Sequence, residues 1–343
     1  MSATAIATLE NPWAMVFLPD GRMLVTERAG RLRVVSQAGV VGPALGGTPQ
    51  VQFAGQGGLL DVALAPDFAR TREVFFCYAA LLQGGAATRL AKAKLAEGDA
   101  ALEAVAPILD AGPPQPEGRN HYGCRIAFGP DGALYLSTGD RFNTKMRAQR
   151  LDDLAGKVLR VSRDGAPFAD NPFAGRDGAR PEIWTLGHRN PQGLAFNPRT
   201  GGLWEAEFGA RGGDEVNVLR PGRNYGWPLV THGTDYDGSR IGEGASKPGL
   251  EDPAYVWVPS VSPSGIAFYT GDAFPAWRGS LFLAALNPPG LVRLSTDGDR
   301  VTGEERLLWG RTRLRQVIQG PDGLIYVLTD EGRGRVLRLE PER

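Results

Sequence analysis

The chain is poor in several residue types, and each shortage excludes a class of protein. Its two cysteines, Cys77 and Cys124, are too few for a disulfide framework or a zinc site. Lys and Arg together number 38, as do Asp and Glu, so no net charge draws the chain to nucleic acid or an anionic membrane. No apolar run approaches the roughly 18 residues that a membrane-spanning helix needs. Only three histidines are present, so a histidine in an unusual setting is informative.

The cysteines and the N-terminus give two further expectations. Each cysteine lies in apolar, strand-like sequence, where a free buried thiol is the expected state. Residues 1–7 lack the basic region and the long apolar region of a leader peptide. The sequence therefore predicts a protein that is cytoplasmic or whose leader is absent from this chain.

Glycine and proline are abundant instead, with 47 and 26 copies, and they mark repeated turns. Three Pro-Asp-Gly turns are each followed by an alternating apolar segment, at residues 19–21, 130–132 and 321–323. Because proline presets φ and glycine accepts positive φ, each turn is expected to join two strands. Three weaker copies lie at residues 65–68, 196–198 and 274–277.

Six such units, at intervals of roughly 45 to 75 residues, are typical of propeller blades. We therefore expect an all-β protein: a six-bladed β-propeller with four antiparallel strands per blade, forming a single domain over residues 1–343. The longest stretches without strand periodicity are interpreted as loops between blades, at residues 82–118, 162–183 and 229–253. Helix is expected to be scarce, with residues 150–155 as the best candidate for a turn or two.

Four polar segments lie near unit boundaries, where a propeller would gather their side chains at one face. Their candidate functional residues are Gln56, His121, Arg189, Asn190, Arg313 and Arg315. Because side chains alternate along a strand, Arg313 and Arg315 are expected on the same face. Arginines beside amide groups suit a planar polycarboxylate, which they can hold through paired hydrogen bonds.

These residues also have plainer interpretations. Alternating arginines commonly form a solvated strand face. His188 is expected to organise its own turn, and His121 alone is as often a packed surface histidine as a base. The joint occurrence of the polar segments at similar positions in the repeats favours a functional face.

At these motifs the chain resembles the soluble pyrroloquinoline-quinone (PQQ)-dependent aldose sugar dehydrogenases of the glucose/sorbosone dehydrogenase type. The similarity runs from about residue 11 to residue 339. It rests on Gly-Gly-Leu-Leu at 57–60, His-Tyr-Gly at 121–123, Gly-His-Arg-Asn-Pro-Gln-Gly at 187–193, Asp-Glu at 214–215, Asn-Tyr-Gly-Trp-Pro at 224–228 and Arg-Leu-Arg at 313–315. The resemblance implies a six-bladed propeller, in agreement with the repeat count. It also implies a quinoprotein that oxidises aldose sugars at C1 to the lactone and passes electrons to an external acceptor.

The resemblance implies roles for individual residues. His121 matches the general base that takes the proton of the anomeric hydroxyl, and an ordinary imidazole pKa of about 6.5 suits that task. Arg189 matches a residue that places positive charge where the quinone gains electron density as hydride reaches its C5. The residues matched to cofactor contacts are Gln56, Arg189, Asn190, Tyr236, Asn287, Arg313 and Arg315. Trp257, Val258 and Tyr236 are expected to border the sugar.

The family also uses calcium as a Lewis acid on the quinone, which suits hard oxygen ligands. Gly209 and Ala210 match the turn whose backbone carbonyls serve this ion. Glu215 and Tyr225 match ligands of a further, structural calcium, the tyrosine through its carbonyl. Without the resemblance, Asp214 and Glu215 would be interpreted as a turn or surface acid pair.

Four positions depart from the family pattern. Asn120 replaces an aspartate that could orient or polarise His121, and Asn287 replaces a lysine, which predicts lower cofactor affinity. Ala210 stands where proline is familiar, which is harmless if the ligand is a carbonyl. Cys124 stands where glycine is usual and implies different packing beneath the base.

Two other functions stay open at this point. A calcium-dependent propeller lactonase would need acids and amides converging on the channel, and the arginine cluster argues against it. A catalytically silent propeller acting as a binding module would fit the asparagine at position 287. The resemblance further implies a periplasmic or secreted monomer or homodimer that acts on small aldose sugars, without nucleic acid or membrane insertion.

Overall fold

The computed structural model describes residues 1–342, in which 24 strands form six antiparallel sheets of four strands each. In chain order the strands are β1 (Ser2–Glu10), β2 (Pro12–Phe17), β3 (Met23–Glu27), β4 (Arg31–Val35), β5 (Val41–Ala44), β6 (Leu59–Leu64), β7 (Glu73–Leu82), β8 (Gly85–Leu95), β9 (Leu102–Gln115), β10 (Ile126–Phe128), β11 (Leu134–Thr138), β12 (Lys157–Val161), β13 (Ile183–Leu186), β14 (Pro191–Phe196), β15 (Leu203–Glu207), β16 (Asp214–Leu219), β17 (Tyr255–Trp257), β18 (Pro263–Phe268), β19 (Leu281–Leu286), β20 (Pro289–Asp297), β21 (Arg300–Leu307), β22 (Leu314–Gln319), β23 (Ile325–Thr329) and β24 (Arg333–Glu340). Helix is limited to α1 (Phe68–Thr71) and the two 3-10 helices Lys145–Gln149 and Pro275–Trp277. No helix among residues 1–342 has both the length and the apolar character needed to cross a membrane.

The repeated turns connect the first and second strands of the blades. The blades are β2–β5, β6–β9, β10–β13, β14–β17, β18–β21 and β22–β24 with β1. All six turn segments found in the sequence lie between a first and a second strand, and the predicted six-bladed propeller is confirmed. The glycines that end the three Pro-Asp-Gly turns have φ between 76° and 83°, where a side chain would be strained.

The N-terminal strand closes the ring. β1 pairs antiparallel with β24, with Ser2 opposite Glu340, and so supplies the fourth strand of the last blade. The first strands of neighbouring blades contact one another around a complete circle. Large apolar side chains such as Trp13, Phe75, Trp204 and Phe282 are buried in this arrangement. Because every blade presents its first strand to the axis, the segments that precede these strands meet at one face.

A buried arginine occupies the axis beneath that face. Arg125 precedes β10, and its guanidinium donates hydrogen bonds to Asp61 in β6 (3.0 Å) and to the carbonyl of Gln192 in β14 (2.6 Å). It also donates to the carbonyl of Arg315 in β22 (3.2 Å) and lies 4.0 Å from the ring centroid of Trp13 in β2. One side chain therefore links the innermost strands of four blades to its own.

Part of the loop prediction was wrong. Residues 82–118 contain β8 and β9, which form a long hairpin and complete the second blade. Their alanines, Ala86, Ala87, Ala91 and Ala93, are buried, so small side chains carry the packing that larger apolar residues carry elsewhere. The predicted loop at 229–253 holds no named strand, and of the predicted loop at 162–183 only the last residue, Ile183, belongs to a strand, β13.

The best helix candidate was displaced by a few residues. Residues 150–155 are bends and irregular chain, and the 3-10 helix Lys145–Gln149 precedes them. The ammonium of Lys157 donates hydrogen bonds to the carbonyls of Arg147 (2.9 Å), Ala148 (3.1 Å) and Ala155 (2.7 Å). This buried lysine therefore ties the 3-10 helix to the segment that precedes β12.

The expectation of free thiols was also wrong. Cys77 in β7 and Cys124 before β10 form a disulfide, with their Cα atoms 5.7 Å apart. Both residues are fully buried. They lie 47 residues apart in the chain, so their proximity depends on the packing of the second blade against the third.

Candidate active site

The face described above brings the predicted polar segments together. Gln56 precedes β6, His121 precedes β10, and Arg189 and Asn190 precede β14. Arg313 and Arg315 stand at the start of β22. Two hydrogen bonds join the segments directly: His121 N–H donates to Gln56 Oε1 (2.9 Å), and Gly123 N–H donates to Asn190 Oδ1 (3.0 Å).

His121 is held by a buried carboxylate that the sequence reasoning missed. Its Nδ1 lies 2.7 Å from Oδ1 of Asp140, which follows β11. Asp140 also accepts hydrogen bonds from the Phe142 amide (2.7 Å) and, through Oδ2, from the Trp227 indole (2.7 Å). As an acceptor-only carboxylate, Asp140 fixes the tautomer in which His121 Nδ1 carries the proton. The Nε2 lone pair is then free to accept a proton.

The electrostatics keep His121 neutral. Burial lowers the pKa of His121 below its ordinary value of 6.5, the hydrogen bond and charge of Asp140 oppose that shift, and the charges of Arg189 and Arg141 add to it. Burial acts to raise the pKa of Asp140, but the hydrogen bond and charge of His121 and the charge of Arg189 lower it overall. The pair therefore combines an ionised aspartate with a neutral imidazole at neutral pH.

The backbone around His121 is locally strained. His121 has φ of 53° and Cys124 has φ of 75°, both in the left-handed region that non-glycine residues seldom adopt. The disulfide at Cys124 and the hydrogen bonds that this segment donates to Gln56 and Asn190 fix its conformation. Such strain persists only where the surroundings determine the conformation, and it concentrates at functional sites.

Arg189 is buried beside the histidine and has spare donor capacity. Its Nη1 donates to the carbonyls of Phe208 (3.2 Å) and Gly209, and its Nη2 donates to the Tyr236 hydroxyl (3.2 Å). Its Nε has no hydrogen-bond partner among residues 1–342, although it is fully buried. A buried donor left unpaired is costly, so this atom is a fit for an acceptor on a bound molecule.

A polar cavity of about 380 Å³ lies over the axis at this face. Its lining residues are Trp13, Arg28, Gly55, Gln56, Gln192, Phe208, Ser262, Leu286, Asn287, Arg313, Arg315 and Asp330. Three arginines face one aspartate in this lining. The cavity therefore has the charge and the amide groups that a polycarboxylate ligand needs.

Arg313 and Arg315 lie on the same face of the chain, as their alternation predicted. Both guanidinium groups bind the carboxylate of Asp330, at 2.9 Å from Arg313 and 2.8 Å from Arg315. Arg315 also donates to Gln192 Oε1 (2.5 Å). The two side chains are thus on one face, and Asp330 holds them in place beside the cavity.

A second cavity, of about 690 Å³, opens outward beside Arg189. Aromatic groups line part of it: Phe142, Trp227 and Tyr236. The rings of Phe142 and His121 meet edge-on, with their centroids 5.0 Å apart. An ion pair between Lys145 and Asp235 bridges the 3-10 helix and the 229–253 loop at its rim. Tyr236 lies between Arg189 and open solvent.

The other two residues expected at the sugar lie elsewhere. Trp257 is buried between the fourth and fifth blades, and its indole donates to Glu304 (2.9 Å). Val258 is exposed, and neither residue lines the two cavities. Trp257 is thus a core residue whose indole N–H is hydrogen-bonded to Glu304, and it does not face the site.

An acidic cluster lies behind Arg189. Glu205, Glu207 and Glu215 surround the amide nitrogen of Asn217 at 3.0, 3.4 and 3.4 Å. Burial, and then the charge of Glu207, raise the pKa of Glu205 and of Glu215. Oε1 of Glu205 and Oδ1 of Asn217 have no hydrogen-bond partner among residues 1–342. Buried oxygen atoms crowded in this way are a fit for a cation.

His188 and Tyr225 border this cluster. His188 bonds to Thr185 Oγ1 in its own turn (2.8 Å), as expected, and also to Glu207 (3.2 Å). Tyr225 lines a narrow cavity together with Glu207 and Glu215. Asp214, by contrast, accepts hydrogen bonds from the Gly209, Val261 and Ser262 amides and organises the surrounding turns.

Gly209 and Ala210 follow β15 and lie close to Arg189, and Gly209 also lines the narrow cavity that contains Glu207 and Glu215. The Gly209 carbonyl accepts a hydrogen bond from Arg189. Ala210 is shared by the outer cavity and by a further cavity of about 450 Å³ that also contains Tyr236 and Asn287. Carbonyl oxygens at this turn can serve a hard cation, which fits the prediction without testing it.

A repeated pattern could have revealed Asp140. Four of the six second strands end in an acid or are followed by one within two residues: Glu27, Asp140, Glu207 and Asp330. Each acid binds a cationic or imidazole group that approaches from nearby: Arg31 for Glu27, His121 for Asp140, His188 for Glu207, and Arg313 with Arg315 for Asp330. The carboxylate sought before His121, at position 120, is thus supplied from the neighbouring strand.

Comparison with known proteins agrees with this geometry. A family model described as Glucose / Sorbosone dehydrogenase matches residues 9–338. The aldose sugar dehydrogenase of Escherichia coli (strain K12) is 43% identical over 338 residues, which cover 97% of this chain and 91% of that protein. A crystal structure of a glucose dehydrogenase superposes with a TM-score of 0.97 at 45% identity, covering 100% of both chains. The PQQ-bound aldose sugar dehydrogenase of Streptomyces coelicolor superposes with a TM-score of 0.82 at 32% identity, covering 99% of this chain and 98% of that one.

Proposed function

Because the chain belongs to the glucose/sorbosone dehydrogenase family, we propose that it is a PQQ-dependent quinoprotein that oxidises aldose sugars at C1 to the lactone. A PQQ-bound relative of the same fold supports the cofactor. The observation that carries the proposal is the position of His121, a neutral base held by Asp140 next to a cationic cavity. A single catalytic domain over residues 1–343 is part of the same proposal.

The residues present fit PQQ, which carries several carboxylates on a planar ring system. Arg313, Arg315, Gln56 and Asn287 line the polar cavity and would hold the carboxylates and ring oxygens. Arg189 has an unpaired, buried Nε and would donate to a quinone oxygen, with Tyr236 beside it. Asn190 Oδ1 accepts the Gly123 amide, so its Nδ2 is the atom that would donate to the cofactor.

The chain's own chemistry is proton transfer and charge stabilisation. When bound, PQQ supplies the two-electron acceptor whose C5 takes the hydride from the sugar. His121 Nε2 accepts the proton of the anomeric hydroxyl, and Asp140 stabilises the imidazolium that results. Arg189 provides positive charge where negative charge develops, inside a site from which much of the water is excluded. The anomeric hydroxyl loses the proton and C1 loses the hydride, which gives the lactone. The two electrons then pass on to an external acceptor.

Calcium is the second group that the residues fit. Gly209 and Ala210 would offer backbone carbonyls to an ion next to the quinone, where it would act as a Lewis acid. Glu215, with the Tyr225 carbonyl, would hold a structural ion in the narrow cavity beside Glu207. The unpaired oxygen of Glu205 and the raised carboxyl pKa values in the cluster support a cation there.

We place the protein in the periplasm or outside the cell. The buried Cys77–Cys124 disulfide supports this location, because such bonds form and persist mainly in oxidising compartments. Small aldose sugars and an external electron acceptor are its proposed partners. A monomer or homodimer remains the prediction for its assembly.

The test is oxidation of glucose and other aldoses, followed with a redox dye, by purified protein with and without added PQQ and calcium. We expect activity only with PQQ, strengthened by calcium, and the lactone as the product. Binding of PQQ is measured separately by absorbance titration. If the protein shows neither PQQ binding nor PQQ-dependent activity, the proposal is refuted and the binding-module alternative is favoured.

A further inference from the structure

Arg28 is a cation of the polar cavity that has no role in the reaction proposed above. It follows β3 and lines the same cavity as Asn287, Arg313 and Arg315. Arg313 and Arg315 share Asp330, whereas no carboxylate among residues 1–342 lies within 4 Å of the Arg28 guanidinium. The lining thus holds three arginines and one aspartate, an excess of two positive charges.

The contacts of Arg28 aim its guanidinium at the Gln56 turn. Its Nε donates to the Gly57 carbonyl (3.3 Å), and its Nη2 donates to the carbonyls of Gly57 (2.8 Å) and Gly55. The guanidinium also lies 5.3 Å from the ring centroid of Phe53. Nη1 makes no hydrogen bond within residues 1–342. Arg28 therefore braces the turn that presents Gln56 while keeping one nitrogen and its full charge for a ligand.

The charge of Arg28 acts on the same space as that of Arg315. Burial, and then the nearby charge of Arg315, lower the pKa of Arg28. Two like charges held together without enough counter-charge are stabilised when an anion binds between them. Such a pocket favours a ligand with more than one carboxylate.

We infer that Arg28 is a direct carboxylate-binding residue of the cofactor pocket and supplies the positive charge that Asn287 does not. The inference rests on the proposed function, since the ligand it names is PQQ. It changes one expectation from the sequence, because the asparagine at position 287 need not lower cofactor affinity. Arg28, which follows β3, would supply the positive charge in place of a lysine at position 287, which follows β19.

The experiment measures the PQQ dissociation constant by absorbance titration of the full-length protein, at several salt concentrations. Arg28→Gln is expected to weaken binding by about tenfold or more, the range for a lost hydrogen bond to a charged group. Its affinity should also depend less steeply on salt, because one ion pair is missing. The PQQ affinity of Arg28→Lys should lie between those of the wild type and Arg28→Gln. Lysine keeps the positive charge but lacks the forked guanidinium that braces the Gln56 turn.

Two further variants separate charge from structure. Arg28→Gln combined with Asn287→Lys returns a cation to the same cavity and should recover most of the affinity. Arg70→Gln, at a position in α1 whose side chain is 79% exposed, is the matched control and should bind PQQ as the wild type does.

The outcomes are distinct. Equal affinity of wild type and Arg28→Gln, with the wild type binding PQQ, would overturn this inference and leave the proposed function standing. A weakened Arg28→Gln that Asn287→Lys does not rescue would also overturn it, because Arg28 would then act only through the turn. A wild type that binds no PQQ would overturn both.

Discussion

Replacing Asp140 with asparagine should disable His121 through its tautomer. Asp140 accepts three hydrogen bonds: Oδ1 from His121 Nδ1 and the Phe142 amide, and Oδ2 from the Trp227 indole. An amide has one accepting oxygen and one donating nitrogen, so Asp140→Asn cannot satisfy all three donors. The new amide can take two orientations, and both are unfavourable.

Each arrangement has a definite consequence. If the new amide oxygen faces His121, its nitrogen meets the Trp227 N–H, and an unsatisfied buried donor costs about 1–3 kcal/mol. If the oxygen faces Trp227, the nitrogen faces His121 Nδ1, which must then accept. The proton moves to Nε2, and His121 can no longer take a proton from the sugar. Loss of a positioned general base slows a reaction by about 10²- to 10⁴-fold.

The assay is stopped-flow reduction of protein-bound PQQ by excess glucose, after titration has established that the variant binds PQQ. Asp140→Asn should reduce the bound quinone at least a hundredfold more slowly than the wild type. Adding Trp227→Phe removes the indole donor, so the amide oxygen can remain on His121, and the double variant should be at least tenfold faster than Asp140→Asn alone. A wild-type rate in Asp140→Asn would refute the role of Asp140, and a double variant with no recovery would refute the tautomer explanation.

Two further predictions follow from the same region. Because burial lowers the pKa of His121 below 6.5, the neutral base is present at neutral pH and is lost as pH falls through that lowered pKa. Quinone reduction should therefore decline with a midpoint below pH 6.5 as the pH is lowered, and a decline centred above 6.5 in a pH–rate profile would contradict the assignment. The disulfide closes a loop of 47 residues, so its removal in Cys77→Ala/Cys124→Gly should lower the free energy of unfolding by about 4 kcal/mol from chain entropy. Glycine suits the left-handed backbone at position 124, and guanidinium unfolding that matches the wild type would show that the bond adds nothing to stability.

The sequence predicted the blades because their determinants are local. A Pro-Asp-Gly turn and the alternation around it identify a hairpin within about 20 residues. The hairpin of β8 and β9 escaped prediction because many of its buried positions are alanines, whose apolar signal is weak. Closure of the last blade by β1 pairs Ser2 with Glu340, a contact that no local pattern encodes.

The site divides in the same way. His121, Arg189, Arg313 and Arg315 stand in compact motifs, and their segments meet as expected. Arg28 and the Cys77–Cys124 bond depend on which blades are neighbours, and that information is absent from spacing along the chain. Asp140 lies in the same blade as His121 and was missed although the two are close in the chain. The acids at the ends of the second strands were visible as a repeat, and only the fold gave that repeat a meaning.

The most direct test of the account is the rate of quinone reduction in His121→Asn. Asparagine tolerates the positive φ at position 121, so the backbone should be kept while the base is lost. We predict that the variant binds PQQ with wild-type affinity and that glucose reduces the bound quinone at least a hundredfold more slowly. Reduction at the wild-type rate in a variant that binds PQQ normally would contradict the assignment of His121 as the base.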